Sequence, residues 1–510
     1  MTPLTTDDLL RSLPILLPAI GALCCLLISG FRPSDRAIAP VVLAVACLSA
    51  LGFIVWQLNT PAPGRVLMNM IAIDGFSLFF ASLILALVTG AAAIAIASWR
   101  SRDFAHGEFW ALLLFAACGM LLLAAATNLL LVFLGVELMS LSVYALVASD
   151  RTRTRPTEAA LKYFLLGSFS SAFLLFGIAF IYGATGSFDL AVIAEKLRGG
   201  LTGQRAEMML GTAFLLAGFC FKTAAAPFHM WAPDAYTGAP TPVTAFMASA
   251  VKAASFAAFI RIFIATLVPS AWFWSDPLAV IAGLTVVLGN AGALAQTEVK
   301  RLFAYSSIAH AGYLLIGLRA ASVDPELATP AILFYLFAYG FTTLGAFGVV
   351  AAAERMMGKD LVLEDMAGFA KRHPLYAAAL TIFLLALAGV PPTAGFTAKL
   401  YVFAAAVKVG DYLLAVIGVL ASAVSLYYYL RVVVLMYMRE PAPGSSASDI
   451  PARAPSLQAV VAVAAIVVLL AGVAPQAYFT SAQGAAASMS MSAPALTKRF
   501  DVPPPNPLSP

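Results

Sequence analysis

Residues 217–259, AGFCFKTAAAPFHMWAPDAYTGAPTPVTAFMASAVKAASFAAF, combine two apolar runs with charge and proline. An apolar run ends on Lys222, prolines follow at Pro227 and Pro233, and a second apolar run carries Lys252 at its centre. Proline removes a backbone donor and clashes with the turn before it, so the first run is expected to form a broken helix. Irregular backbone persists at membrane depth only where it is buried in protein or lines a cavity. A lysine at the bilayer centre costs about 2.5–3.5 kcal/mol on insertion scales, and such residues mark ion paths. The stretch reads as part of a polytopic α-helical membrane protein with a polar interior.

The rest of the chain agrees. Of its 510 residues 62% are hydrophobic and only 11% charged, against roughly 25% charged in an average soluble domain. The mean hydropathy of +0.92 says the same. The polar surface that a soluble enzyme or a nucleic-acid-binding protein needs is missing. Asp7 and Asp8 replace the positive start of a signal peptide, so the first apolar run is expected to be a retained helix. Cys24, Cys25, Cys47, Cys118 and Cys220 all lie in apolar runs with no CxxC pair, which predicts small buried hydrophobes and no disulfide, metal or haem. No phosphate-binding Gly loop, GxSxG elbow or HExxH motif occurs.

A spanning helix takes about 20 mostly apolar residues. Fourteen candidates fall near 12–30, 37–57, 76–98, 109–126, 128–148, 159–183, 207–226, 241–268, 277–296, 302–318, 329–352, 376–407, 411–437 and 457–475. The fourth and fifth almost touch at Thr127-Asn128, which demands a very tight hairpin. Loops after odd-numbered spans hold 15 Lys and Arg, among them Arg32, Arg36, Arg100, Arg102, Arg151 and Arg453, against 9 on the other side, including Lys498 and Arg499. The positive-inside rule then puts the odd loops in the cytoplasm and both termini on the periplasmic side. Glu440 to Ser456 reads as a Pro/Ser/Ala linker, and the tail after Gln476 as loosely ordered.

Charged and imidazole groups interrupt these spans: Glu137 in the fifth, Lys222 in the seventh, Lys252 in the eighth, Lys399 after GVPPTAGFTA in the twelfth, and His229 and His310 at membrane depth. Lys162, early in the sixth span, is open to two readings, a snorkelling anchor or a secondary relay group. Arg261 and Arg431, towards helix ends, read as anchors. A structural ion pair accounts for Glu137 with Lys222, but one carboxylate does not balance three lysines. Glu137, Ser140 and Tyr144 share one helical face, as do Ser249, Lys252 and Ser255, with Ala248, Ala253 and Ala254 allowing close helix approach. Ser306, Ser307, His310 and Tyr313 form a third polar stripe. A lysine held out of water sheds its proton more readily, a nearby carboxylate opposes that, and neutral imidazole passes protons on. Such a set fits switchable proton transfer.

The second break is at Pro391-Pro392, five spans after the first. Interrupted spans at matching positions of two halves point to a transport site. Five is odd, so the second half inserts upside down. The expected division is 1–106, spans one to three; 107–270, a first five-helix repeat with broken span seven; 271–439, an inverted repeat with broken span twelve; and 440–510, linker, last span and tail.

Three stretches, FKTAAAPFHMWAPDAYTGAPTPVTAF, VKRLFAYSSIAHAGYLLIG and GVPPTAGFTAKLYVF, resemble the antiporter-like subunits of respiratory complex I, the proton-pumping NADH:quinone oxidoreductase. The resemblance covers nearly the whole chain. Within that group the chain is most similar to subunit N: it ends without the long lateral helix of subunit L, Lys399 stands where subunit M typically has Glu, and YYYLRVVVLMY is N-like. The resemblance implies that Glu137 pairs with Lys222, that Lys252 is a central relay, that Lys399 exchanges a proton with the outside, and that His229 and His310 are relay or water-organising groups. It implies no cofactor in this chain, with FMN, iron–sulfur clusters and quinone in partner subunits. It also implies a bacterial inner (plasma) membrane and, as partners, another antiporter-like subunit, the small subunits next to the quinone module, and lipids. The enzymatic expectation is a non-redox subunit of a translocase. The alternatives are a subunit of a sodium/proton antiporter and a purely structural membrane scaffold.

Overall fold

The computed structural model describes residues 5–31, 37–60, 64–98, 107–150, 153–200, 203–440 and 454–491. Arg32, Arg36, Arg100, Arg102, Arg151, Arg453, Lys498 and Arg499 lie outside them, as do 441–453 of the expected linker and the end of the tail. Among the described residues, twelve helices are long and apolar enough to cross a membrane.

The first six spans are α1 (Thr6–Phe31), α2 (Ile38–Leu58), α3 (Gly75–Ser98), α4 (Gly107–Ala125), α5 (Leu129–Val147) and α6 (Thr154–Thr185). A short hairpin, β1 (Gly64–Val66) with β2 (Ile71–Ile73), precedes α3. The α4–α5 hairpin is as tight as its spacing demands, with three residues between the helices. Helix ends leave backbone groups without intrahelical partners, and here neighbours supply them. Thr127 N–H donates to Met70 O at 2.9 Å, Leu129 N–H to Phe188 O at 2.9 Å, and Asn128 caps α5 by accepting from Leu130 N–H at 2.9 Å.

A helix the sequence reading did not anticipate, α7 (Leu190–Gly199), follows α6 and is capped by Asp189. The seventh span is α8 (Arg205–Thr223), a break, then α9 (Trp231–Gly238). The eighth is α10 (Thr241–Phe246), a π-helical turn at Met247–Val251, and α11 (Lys252–Phe263). Every residue of Thr241–Phe263 is buried, so this span is the core. Its small residues, Ala248, Ala250, Ala253 and Ala254, let neighbours pack close.

The second half holds α12 (Ala271–Leu294), α13 (Val299–Ala321), α14 (Pro325–Met357), a short α15 (Phe369–Arg372), α16 (Pro374–Ala388), α17 (Ala394–Lys408) and α18 (Tyr412–Met438). Helix α13 is not among the twelve apolar spans, but nearly all of it is buried, which shelters its polar stripe. The twelfth span is the two half-helices α16 and α17. Both breaks open on a left-handed residue, Ala224 (φ 59°) and Gly389 (φ 83°), and contain a cis proline, at Ala226-Pro227 and Pro391-Pro392.

Two expectations need correction. The residues after Gln476 are not loose as far as they are described: α20 (Pro475–Met491) follows α19 (Pro455–Val473), buries Ala482, Ala485 and Met489, and its Ser488 hydroxyl accepts from Phe76 N–H at 3.0 Å. Short apolar spacing on one face was enough to dock it. Arg261 is not an interfacial anchor. Its guanidinium is 5% exposed and grips Asp74 through both nitrogens at 3.0 Å.

Candidate functional site

Helix α5 presents the stripe expected of it. Lys222, on the last turn of α8, is buried and donates to Ser140 Oγ at 2.8 Å, with Tyr144 OH at 3.5 Å. Its ammonium also lies 5.9 Å from the Tyr144 ring centre. Glu137, one turn away, is half-buried and accepts from Ser171 Oγ of α6. Glu137 and Lys222 are therefore on one surface without ion-pair contact, a serine standing between the acid and the base.

From there an aromatic wall leads inward. Tyr144 meets Tyr163 edge-on at 4.6 Å, Tyr163 stacks on Trp231 at 4.3 Å, and Trp231 Nε1–H donates to Phe221 O at 2.9 Å. That carbonyl lies in the last turn of α8, where it also accepts from Ala224 N–H at 3.0 Å. Tyr236 OH, further along α9, lies 3.5 Å from Ser307 Oγ of α13.

Lys252 meets the same serine. Its ammonium donates to Ser307 O at 2.5 Å and Ser307 Oγ at 2.6 Å, and sits 5.4 Å from the Tyr339 ring centre. The π turn immediately before Lys252 inserts an extra residue per turn, which rotates α11 about the helix axis relative to α10; such turns recur at functional sites. The expected Ser249–Lys252–Ser255 stripe does not act as one. Ser249 and Ser255 each donate to the carbonyl four residues back, Ala245 O at 2.6 Å and Val251 O at 2.8 Å, so their hydroxyls are used inside their own helix.

His310 lies one turn beyond Ser307. Its Nδ1 is 2.7 Å from Tyr335 OH and its Nε2 3.4 Å from Tyr429 OH, which in turn bonds Ser306 Oγ. Lys399 lies on the far side. It donates to Ala388 O at 3.0 Å and Ser422 Oγ at 2.8 Å, 5.0 Å from the Tyr313 ring centre. Tyr313 OH accepts from Asn290 Nδ2 at 3.3 Å, and Tyr428 OH donates to Asn290 Oδ1 at 3.1 Å.

Among the described residues no carboxylate pairs with Lys222, Lys252 or Lys399. Burying a charge without a counter-ion is expensive. Hydroxyls, the carbonyls of Ser307 and Ala388, and aromatic faces hold these ammonium groups instead. An arrangement of that kind places hydroxyl and imidazole groups among the buried bases.

Two proposed residues stand apart. Lys162 is half-exposed and pairs with Glu158 at 2.8 Å and Asp234 at 3.3 Å, in keeping with a surface role. His229 sits in the first break, half-buried beside the largely exposed Met230, and no hydrogen bond joins it to the lysines. Sequence reasoning missed Tyr335, Tyr339, Asn290 and Ser422. Tyr335 and Tyr339 carried a signal, since they are four apart on one face of α14 in the apolar stretch 330–341. It also took Lys300 for a loop charge, whereas its side chain is 4% exposed and faces Glu354. Outside the spans, Arg153 is held above its ordinary pKa first by its hydrogen bond to Asp360, at the bundle end where Lys300 lies.

The likeness to known proteins points the same way. Residues 126–425 match the family described as NADH:quinone oxidoreductase/Mrp antiporter, TM. NADH-quinone oxidoreductase subunit N 1 of Sorangium cellulosum is 47% identical over 414 residues, 79% of this chain and 81% of that one. A chain of respiratory complex I from Thermus thermophilus superposes with a TM-score of 0.77 at 34% identity, over 92% of this chain and 98% of that one. A chain of the Mrp complex from Dietzia superposes with a TM-score of 0.81 at 24% identity, over 95% and 98%, which is a likeness of fold. The chain belongs to the NADH:quinone oxidoreductase/Mrp antiporter family of membrane proteins and, within it, to the subunit N family of NADH-quinone oxidoreductases.

Proposed function

We propose that this chain is a membrane-arm subunit of proton-translocating NADH:quinone oxidoreductase and that it moves protons along the line Lys222, Lys252, His310, Lys399. The observation that carries the reading is the set of three buried lysines without acid partners among the described residues, each held by hydroxyl or carbonyl groups, with His310 among them, and placed at two helix breaks and a π turn. Glu137 sets the charge felt by Lys222. When it is perturbed from the quinone side, the Lys222 ammonium gives up a proton inward. Neutral Lys252 takes it through Tyr236 and Ser307, and His310 passes one on towards Lys399. Lys399 releases a proton to the positive outside. Each transfer leaves the donor neutral and the acceptor protonated, so the line resets from the opposite face.

The matching breaks support two five-helix halves, 107–270 and 271–439, related by inversion. Flavin, iron–sulfur clusters and quinone belong to partner subunits. Those partners are another antiporter-like subunit and the small subunits next to the quinone module. The membrane is the bacterial inner membrane, with both termini periplasmic by the positive-inside bias.

The test is gentle extraction with a tag on this chain, followed by assay of NADH:quinone reduction. Co-purification of that activity supports the reading. A chain that comes away without it, and that exchanges sodium for protons in proteoliposomes, is an antiporter subunit instead.

A further inference from the structure

The joint between the Lys222 segment and the Lys252 segment is two residues long. Helix α9 ends at Gly238, Ala239 and Pro240 are extended, and α10 starts at Thr241. Two buried charges from other helices hold it. Lys300 of α13 donates to Ala239 O at 3.0 Å, and Glu354 of α14 accepts from Thr241 Oγ1 at 2.6 Å. Their side chains are 4% and 6% exposed and their charged atoms are 3.8 Å apart. At that separation the two attract each other but do not share a hydrogen bond. Each directs a hydrogen bond to the joint. The next residue on α13, Arg301, grips α9 again through Asp234 at 2.8 Å.

We infer that Lys300 and Glu354 form a clamp that positions α9 relative to α10 and so couples movement at Lys222 to the placement of Lys252. The inference rests on the proposed proton line. It follows from connectivity: α9 is an eight-residue lever beginning at the first break, and α10 leads through the π turn directly to Lys252. A lever this short transmits motion only if its far end is held, and the only charged side chains bonded to that end among the described residues are Lys300 and Glu354. Both are positioning residues, since neither touches the lysines of the line.

The test uses the intact complex in proteoliposomes, with proton uptake per NADH, quinone reduction and thermal inactivation read on the same preparations. Glu354→Gln keeps the shape and removes the charge; Thr241→Val removes one hydroxyl; Lys252→Ala is the reference. Glu354→Gln is expected to lower proton-coupled turnover about fivefold or more, as small misplacements of reacting groups do, with the complex still assembled and the loss larger than the lowered thermal midpoint from the stranded Lys300 charge accounts for. Thr241→Val is expected to shift it the same way by less, and Glu354→Gln/Lys252→Ala to be no worse than Lys252→Ala alone. Wild-type turnover in Glu354→Gln alongside a defective Lys252→Ala overturns the clamp alone. So does a loss that tracks a lower thermal midpoint, or one that adds to that of Lys252→Ala. Wild-type pumping in Lys252→Ala overturns the proton line and the clamp with it.

Discussion

The Lys399 ammonium donates to the carbonyl oxygen of Ala388, 3.0 Å away across the break between α16 and α17. That carbonyl is free only because α16 stops there: Gly389 turns left-handed at φ 83° and the helical ladder ends. The lysine and the break therefore form one unit. Lys399→Ala is expected to assemble normally and to lower the number of protons moved per electron. An unchanged ratio, measured as acidification against NADH oxidation in proteoliposomes, would sink the role given to Lys399.

Gly389 itself makes a second prediction. A Cβ there would lie 2.8 Å from Lys399 Cδ, at a φ that side chains rarely adopt. Gly389→Ala is expected to cost about 1–2 kcal/mol in backbone strain and to displace Lys399 from Ala388. Its proton-to-electron ratio should fall towards that of Lys399→Ala, while Gly410→Ala, at a similar φ but in open space, should leave the ratio intact.

Lys222 lies at the start of the line, on Ser140 rather than on Glu137. Lys222→Ala is expected to slow NADH-driven quinone reduction as well as pumping, because the two are coupled. Ser140→Ala removes the short hydrogen bond to the ammonium and should give the same defect in milder form, with normal assembly. Steady-state quinone reduction in membranes checks both. A Ser140→Ala enzyme faster than wild type would mean that the serine restrains Lys222 rather than serving it.

Much of this was legible in the sequence, and the reason differs by residue. Both breaks were visible because proline acts locally, whatever surrounds it. Glu137, Lys222, Lys252 and Lys399 stood out because each is a costly residue in an apolar run. Ser249 and Ser255 misled, since a shared helical face does not reveal that a serine spends its hydroxyl on its own backbone. Arg261 and Lys300 were misread for the opposite reason. Both lie near helix ends, where a charge normally meets water or headgroups, and their partners Asp74 and Glu354 are distant in sequence. The His310 contacts to Tyr335 and Tyr429 join three helices and have no local signature.

The Arg261–Asp74 pair is a stability element and should behave as one. Both side chains are almost wholly buried, the guanidinium also donates to Ala124 O at 3.2 Å, and it lies over the Phe76 ring at 4.8 Å. Removing one member of such a pair strands the other charge, at a cost of about 3–5 kcal/mol. Asp74→Ala is expected to lower the amount of assembled complex and its thermal midpoint, with near-normal turnover in whatever assembles. Blotting and thermal inactivation separate this from a pumping defect. A stable Asp74→Ala complex that fails to pump would move the pair into the mechanism.

The second break is held tightly from outside. Gly472 of α19 faces it so closely that a Cβ would lie 2.1 Å from Pro392 O, a backbone atom with no side chain to swing aside. Below it, Tyr401 of α17 packs on Phe479 of α20 at 4.4 Å, two residues beyond Lys399. These contacts fix where α17 starts and hence where Lys399 points. Gly472→Val is expected to push α19 off the break and to cut the proton-to-electron ratio, whereas Gly484→Val, on α20 with open space around its Cα, should change nothing. Phe479→Ala should resemble Gly472→Val in direction and be weaker, since it loosens one aromatic contact instead of driving two backbones apart. Equal pumping in Gly472→Val and Gly484→Val would show that the break holds its shape without α19.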